Sequence, residues 1–187
     1  MSFRTDDISV FSASSLATLL VAGGVHVSII LDSEQSLLEL ERETPDTVVF
    51  LAGAFNHAGA AAERLRERCL SLKRCAEFLG SRQTRLWGVA PGATRDAGGE
   101  AAAVEAGVWA FSRTLANEVA NLDVRRIDLA EALSTKAAAE RLRDLILSGT
   151  LETEIILDAD RTRVVRFSPG QLSRRPGADA VPAEAAR

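Results

Sequence analysis

The sequence predicts an α/β fold, a doubly wound and mostly parallel sheet with helices on both faces. Three observations carry that prediction. β-prone and helical runs alternate along the chain in the order β-α-β-α-β-α-β-α-β-α-β-β, the pattern of a parallel sheet. The run TVVFLA, Thr47 to Ala52, is almost continuously apolar, as a central strand covered on both faces must be. From Glu100 onward, Val104, Val108, Phe111, Leu115, Val119 and Leu122 recur at steps of 4, 3, 4, 4 and 3. That spacing places them on one face of a long helix packed on a sheet, with Glu105, Arg113, Asn117 and Glu118 at the other positions.

Each element has its own local reason. Ile8 to Ser12 is a short β-prone run. Ser14 can cap a helix through Leu16, Leu19 and Leu20, which Gly23-Gly24 ends. Val25 to Leu31 is a strand rich in β-branched residues, with His26 packing inside it. Asp32 or Ser33 caps a helix holding Leu37, Leu38 and Leu40, and Pro45 marks its end. After TVVFLA, a helix over about 58–79 carries Leu65, Cys69, Leu72, Ala76 and Leu79 on one stripe. Arg85 to Ala90 is a strand closed by Pro91-Gly92. The long helix ends at Asn121-Leu122-Asp123, and Val124 to Leu129 is the next strand. Ser134 caps a helix with Leu142, Leu145 and Ile146, stopped by Gly149. Glu154 to Leu157 and Arg163 to Phe167 form a closing hairpin around Asp158-Ala159-Asp160. Residues 1–167 therefore form one subdomain, and the Pro/Gly/Ala/Arg-rich stretch 168–187 is a linker or tail.

Composition narrows the class. With 187 residues and 47% hydrophobic content, the chain supports one folded core. A net charge of −4 gives no basic excess for nucleic acid or an anionic membrane. No apolar run approaches the ~18–20 residues that span a bilayer. The N-terminal MSFRTDDISVF places acidic residues before any apolar run, unlike a signal peptide. Cys69 and Cys75 lie six residues apart on one helix, too far along its axis for an unstrained disulfide. They read as apolar helix positions in a reducing, cytoplasmic setting, and Trp87 and Trp109 as core or interface aromatics.

The chemistry is conspicuously thin. A dinucleotide site needs glycines after the first strand, where bare backbone meets pyrophosphate at a helix N-terminus. Here Ser12, Ala13, Ser14, Ser15 and Leu16 occupy that turn. Asp32 is the nearest acid to a ribose-binding position, and helix capping explains it. No Ser-His-Asp set, CxxC, HExxH or P-loop is present, and the chain contains no Tyr. His57 follows a strand end, where α/β ligands bind, as do Gly53 and Pro91-Gly92, although capping or local packing at a helix start is the plainer role for His57.

The phrase AGVWAFSRTLANEVANLDVR resembles the short-chain dehydrogenase/reductase superfamily, at the helix that carries the catalytic Tyr and Lys and the strand after it. The resemblance implies a truncated Rossmann-like fold. It sets Ala101 at the Tyr position and Glu105 at the Lys position. Alanine has no proton to give, and a carboxylate opposes Tyr ionisation. The superfamily's Ser falls near Ala90 to Thr94, where Thr94 alone offers a hydroxyl.

TVVFLAG, RLWGVAPGA, AGVWAFSRTLANE, VRRIDL with its strand-ending Asp128, and ETEIILDADRTRVVRF together resemble one branch. It is the first, structural half of the ketoreductase of modular polyketide synthases, matched over roughly Ile8 to Phe167. That resemblance implies a non-catalytic subdomain with no catalytic, cofactor-binding or metal residues of its own. Its implied role is to brace an NADPH-dependent reductase half. The partners implied are that half or other synthase domains, with self-association through the closing hairpin, where Ile155, Ile156, Val164, Val165 and Phe167 gather. The alternative is a free-standing degenerate reductase that binds a small ligand near Gly53, His57 and Pro91-Gly92.

Overall fold

A computed structural model describes residues 15–24, 26, 45–51, 60–80, 83–94, 99–129 and 135–166. Helix α1 spans 15–22. Then come β1 (Thr47–Leu51), α2 (Ala61–Leu79), β2 (Thr84–Val89), α3 (Glu100–Glu118), β3 (Leu122–Leu129), α4 (Thr135–Leu147), β4 (Glu154–Leu157) and β5 (Thr162–Val164). The expected strands at 8–12 and 25–31 and the helix from 33 lie outside the described residues, as do Asp32, Gly53, His57, Phe167 and the stretch 168–187.

The five described strands line up in chain order. β1 to β4 are parallel, with Thr47 beside Arg85, Leu86 beside Val124 and Arg126 beside Glu154. β5 returns antiparallel, with Ile156 opposite Arg163. This is the predicted α/β, mostly parallel sheet. Its two faces carry separate cores. On one, α2 and α3 set Leu72, Cys75, Leu79, Val108 and Leu115 against Leu86, Leu122 and Val124. On the other, α1 and α4 set Leu16, Leu20, Ala139 and Leu142 against Trp87, Val89, Ile127, Leu129, Ile155 and Leu157. The period of two along β3 does this: Leu122 and Val124 face one layer, Ile127 and Leu129 the other.

The strand order advances the same way at every step, but α4 lies on the opposite face from α2 and α3. Its crossover therefore has the opposite hand to theirs, although parallel crossovers are right-handed in nearly all sheets.

Several local expectations are corrected. Leu122 opens β3 and does not close the helix, which ends at Glu118 with Val119 as its cap. Phe111 is half-buried at the margin of its core, whereas Trp109 is buried. Glu105, expected on the outer positions, is buried. Ser15 and Leu16 are already helical, and Leu16 sits in the core, so neither belongs to an open turn. His26 is exposed, because it continues the exposed turn that Gly23 and Gly24 make at the end of α1. Gly24 takes φ +82, which favours glycine, and its amide donates to the Val21 carbonyl. The Gly23-Gly24 pair is thus a helix C-cap, as predicted. Cys69 is half-buried and Cys75 buried, both as free thiols, and burial pushes the Cys69 thiol up. β1 stands first among the described strands with all five residues half-buried, while the strands expected at 8–12 and 25–31 lie outside the described residues.

Candidate functional site

In doubly wound sheets, ligands meet the C-terminal ends of the strands. Among the described residues that edge is built by the turn after β2, the end of β3 and the first half of α3. Its organiser is Asp128. The side chain is 1% exposed. It accepts the Gly92 amide at 2.6 Å, the Thr94 amide at 3.0 Å and the Thr94 hydroxyl at 2.5 Å. Gly92 holds φ +79, so the turn needs glycine there. Ala90 and Ala93 of this turn pack on Trp109 of α3, with Val165 of the closing hairpin beside them.

The resemblance placed Ala101 and Glu105 where a proton donor and its lysine would stand. Both lie on α3 as expected, and Ala101 is exposed. Glu105 forms a buried ion pair with Arg68 of α2, with side chains 10% and 12% exposed. Burial pushes the Glu105 carboxyl up. Arg68 pulls it back through its charge and hydrogen bond, and the nearby Asp128 carboxylate pushes it up again. Burial and a like charge therefore prevail over one cation. Oε2 of Glu105 and Nε of Arg68 have no hydrogen-bond partner among the described residues.

A second ionic set lies between α3 and the hairpin. Glu154 on β4 accepts Nε and Nη2 of Arg113 at 2.8 and 2.6 Å. Arg126, its neighbour in the sheet, approaches at 3.1 Å and also donates to the Ser112 carbonyl at 3.2 Å. Burial alone would raise the Glu154 carboxyl, but the Arg113 hydrogen bond and the charges of Arg126 and Arg113 together hold it below the usual range. Burial pushes Arg126 down, with Glu154 opposing and Arg113 assisting.

Sequence reasoning missed Arg68, Arg113, Arg126 and Glu154 as an ensemble. The available signal was a charged residue flanking the apolar stripe on consecutive helices, Arg68 beside Cys69 and Glu105 beside Val104. Pro91 and Gly92 are half-buried at the proposed edge, while Gly53 and His57 lie outside the described residues. A shallow cleft of about 440 Å³ opens at the opposite, N-terminal end of the strands, lined by Asp46, Gln83, Arg85, Asn121 and Asp123 among others. It is the wrong end for a ligand in this architecture, and Arg85 and Asp123 there are paired at 3.0 Å. Among the described residues no three His, Cys, Asp or Glu side chains gather as a metal site, and no helix is long and apolar enough to cross a membrane.

No protein-family model matches the sequence, and no curated protein matches it. Solved structures do. An alcohol dehydrogenase from the archaeon Thermococcus sibiricus, complexed with 5-hydroxy-NADP, superposes with a TM-score of 0.56 at 16% identity, over 88% of this chain and 94% of that one. At this identity the likeness shows the fold alone, an α/β, Rossmann-like, mostly parallel sheet. A short-chain dehydrogenase from Mycobacterium avium is also similar, at 13% identity and a TM-score of 0.41, over 96% of this chain and 69% of that one, a likeness too slight to carry an argument.

Among the described residues, the turn after β2 offers a nicotinamide cofactor no free amide at Gly92 or Thr94. The Gly92 and Thr94 amides, which could meet a ligand's oxygens, are already taken by Asp128.

Proposed function

We propose that this chain is a non-catalytic structural subdomain of a polyketide synthase ketoreductase, bracing a separate NADPH-dependent reductase half. The observation that carries the reading is Glu105, buried against Arg68 at the position where the resemblance requires a lysine. Ala101 supports it, because a methyl group can neither donate nor relay a proton. The absence of Tyr from all 187 residues supports it again. In this reading the partner is the catalytic half, met on the side of the closing hairpin. Ile155 and Leu157 belong to the chain's own core, while Val164 is 40% exposed.

The test is a fluorescence titration of the purified chain with NADPH and NADP, followed by mixing with a separately produced catalytic half. The expected result is no saturable cofactor binding and a stable complex with the half. Saturable binding below millimolar concentration, with ketone-dependent NADPH turnover, would overturn the proposal.

A second reading has one observation in its favour. The fold likeness extends over 88% of this chain and 94% of an alcohol dehydrogenase complexed with a nucleotide. A free-standing degenerate reductase would bind a small ligand at the strand ends without any partner. Failure to bind the catalytic half, together with binding of a small ketone or alcohol, would favour it.

A further inference from the structure

We infer that Arg68 and Glu105 form a register lock between α2 and α3, whose contribution is to select one helix pairing rather than to add stability. Four observations converge on this. The seam is polarised: α2 supplies the cations and α3 the anions, with Arg64 reaching Glu100 at 3.3 Å one turn before the Arg68–Glu105 pair. The inner rung is buried and the outer one is not, Glu100 being 76% exposed. The inner rung is also incompletely satisfied, since Oε2 of Glu105 and Nε of Arg68 find no hydrogen-bond partner among the described residues. A buried pair with such gaps gives back little of its desolvation cost, so stability is a poor reason for it. Finally, the helices touch closely at Gly107, where an added Cβ would stand 2.6 Å from a Leu65 methyl.

These features act together. Slipping the helices by one turn would place Arg64 near Glu105 and leave Arg68 buried without a carboxylate. A slip the other way would pair Arg68 with Glu100 and leave Glu105 buried without a cation. Apolar side chains on the same seam would tolerate either slip, because hydrophobic contact is not directional. Charge of opposite sign on the two helices removes that freedom. The inference concerns the fold's own layer and does not rest on the functional proposal.

The experiment uses the full chain with Arg68→Met and Glu105→Leu combined, which keeps side-chain volume and removes both charges. The readouts are the melting midpoint and the ¹⁵N–¹H resonance of Gly107, which lies inside the contact. The expected result is a midpoint equal to or above that of the unaltered chain, with the Gly107 resonance split or broadened by a second register. A single sharp Gly107 resonance would overturn the inference, because the sheet and loops would then fix the register unaided. A fall in the midpoint of the double variant would also overturn it, because the pair would then be stabilising in its own right. The charge-swapped variant, Arg68→Glu with Glu105→Arg, should restore a single resonance. A split resonance there would count against the lock.

Discussion

The amide of Gly92 donates to the Asp128 carboxylate at 2.6 Å, across 36 residues of sequence. With the two bonds from Thr94, this gives a buried carboxylate three donors from a single turn. Asp128→Asn keeps the shape and replaces one acceptor oxygen by a donor facing these N–H groups. Leaving a buried donor unsatisfied costs ~1–3 kcal/mol. The variant should lose about 2 kcal/mol in urea unfolding, and Thr94→Val, which removes only the hydroxyl, about 1 kcal/mol. Asp128→Asn as stable as the unaltered chain would mean that the carboxylate does not organise the turn.

The helical face of α3 makes a graded prediction. Leu115 is 3% exposed in the core against β3, while Phe111 is half-buried at the margin. Leu115→Ala should cost ~2–5 kcal/mol, as in a well-packed core. Phe111→Ala should cost less than the ~3–5 kcal/mol of a fully buried phenylalanine. A larger loss at Phe111 than at Leu115 in thermal unfolding would reverse the assignment of core and margin.

Gly107 tests the close approach of the helices. Alanine there gains about 1 kcal/mol of helix propensity. It also drives a methyl against Leu65 atoms 2.6 and 2.9 Å away, and such overpacking costs ~1–3 kcal/mol. Gly107→Ala alone should therefore be neutral to destabilising. With Leu65→Ala in the same chain, the clash disappears and the propensity gain remains. The double-mutant cycle should show favourable coupling of roughly 1 kcal/mol or more, and strict additivity would place Leu65 elsewhere.

Glu154 and Glu105 predict opposite responses to pH. Glu154 is held low, so its contribution is present above the unfolded glutamate value of about 4.3 and is lost as pH falls through its folded value. Glu105 is raised, so its contribution is full below the unfolded value and is lost as pH rises through its folded value. Glu154→Gln should therefore be costly at neutral pH, with the gap to the unaltered chain closing in acid. Glu105→Gln should cost less at neutral pH than Glu154→Gln. Urea unfolding of the three chains at several pH values checks this, and a pH-independent gap for Glu154→Gln would refute it.

From β1 to β5 the sequence by itself determined the alternation of strands and helices, and it did so from local pattern. The spacing of Val104, Val108 and Leu115 specifies an α3 face because a helix repeats every 3.6 residues whatever lies opposite. Gly23-Gly24 marks a helix end because positive φ is a property of the backbone at that point. The same pattern failed at Leu122, which continues the helical stripe numerically but opens β3, since an apolar residue fits either period. At the candidate site, Ala101, Glu105, Thr94 and Asp128 were legible as positions, but their partners were not.

Only the tertiary structure decided those partners. Arg68 meets Glu105 from 37 residues away, and Arg113 meets Glu154 from 41. A charged side chain looks alike in sequence whether it faces water or a buried counter-ion. The face chosen by α4, and with it the reversed hand of the last crossover, was likewise decided only in three dimensions. An amphipathic stripe states that a helix must cover apolar surface, and burying that stripe is equally favourable on either side of a sheet that offers Ile127 and Leu129 to one layer and Leu122 and Val124 to the other.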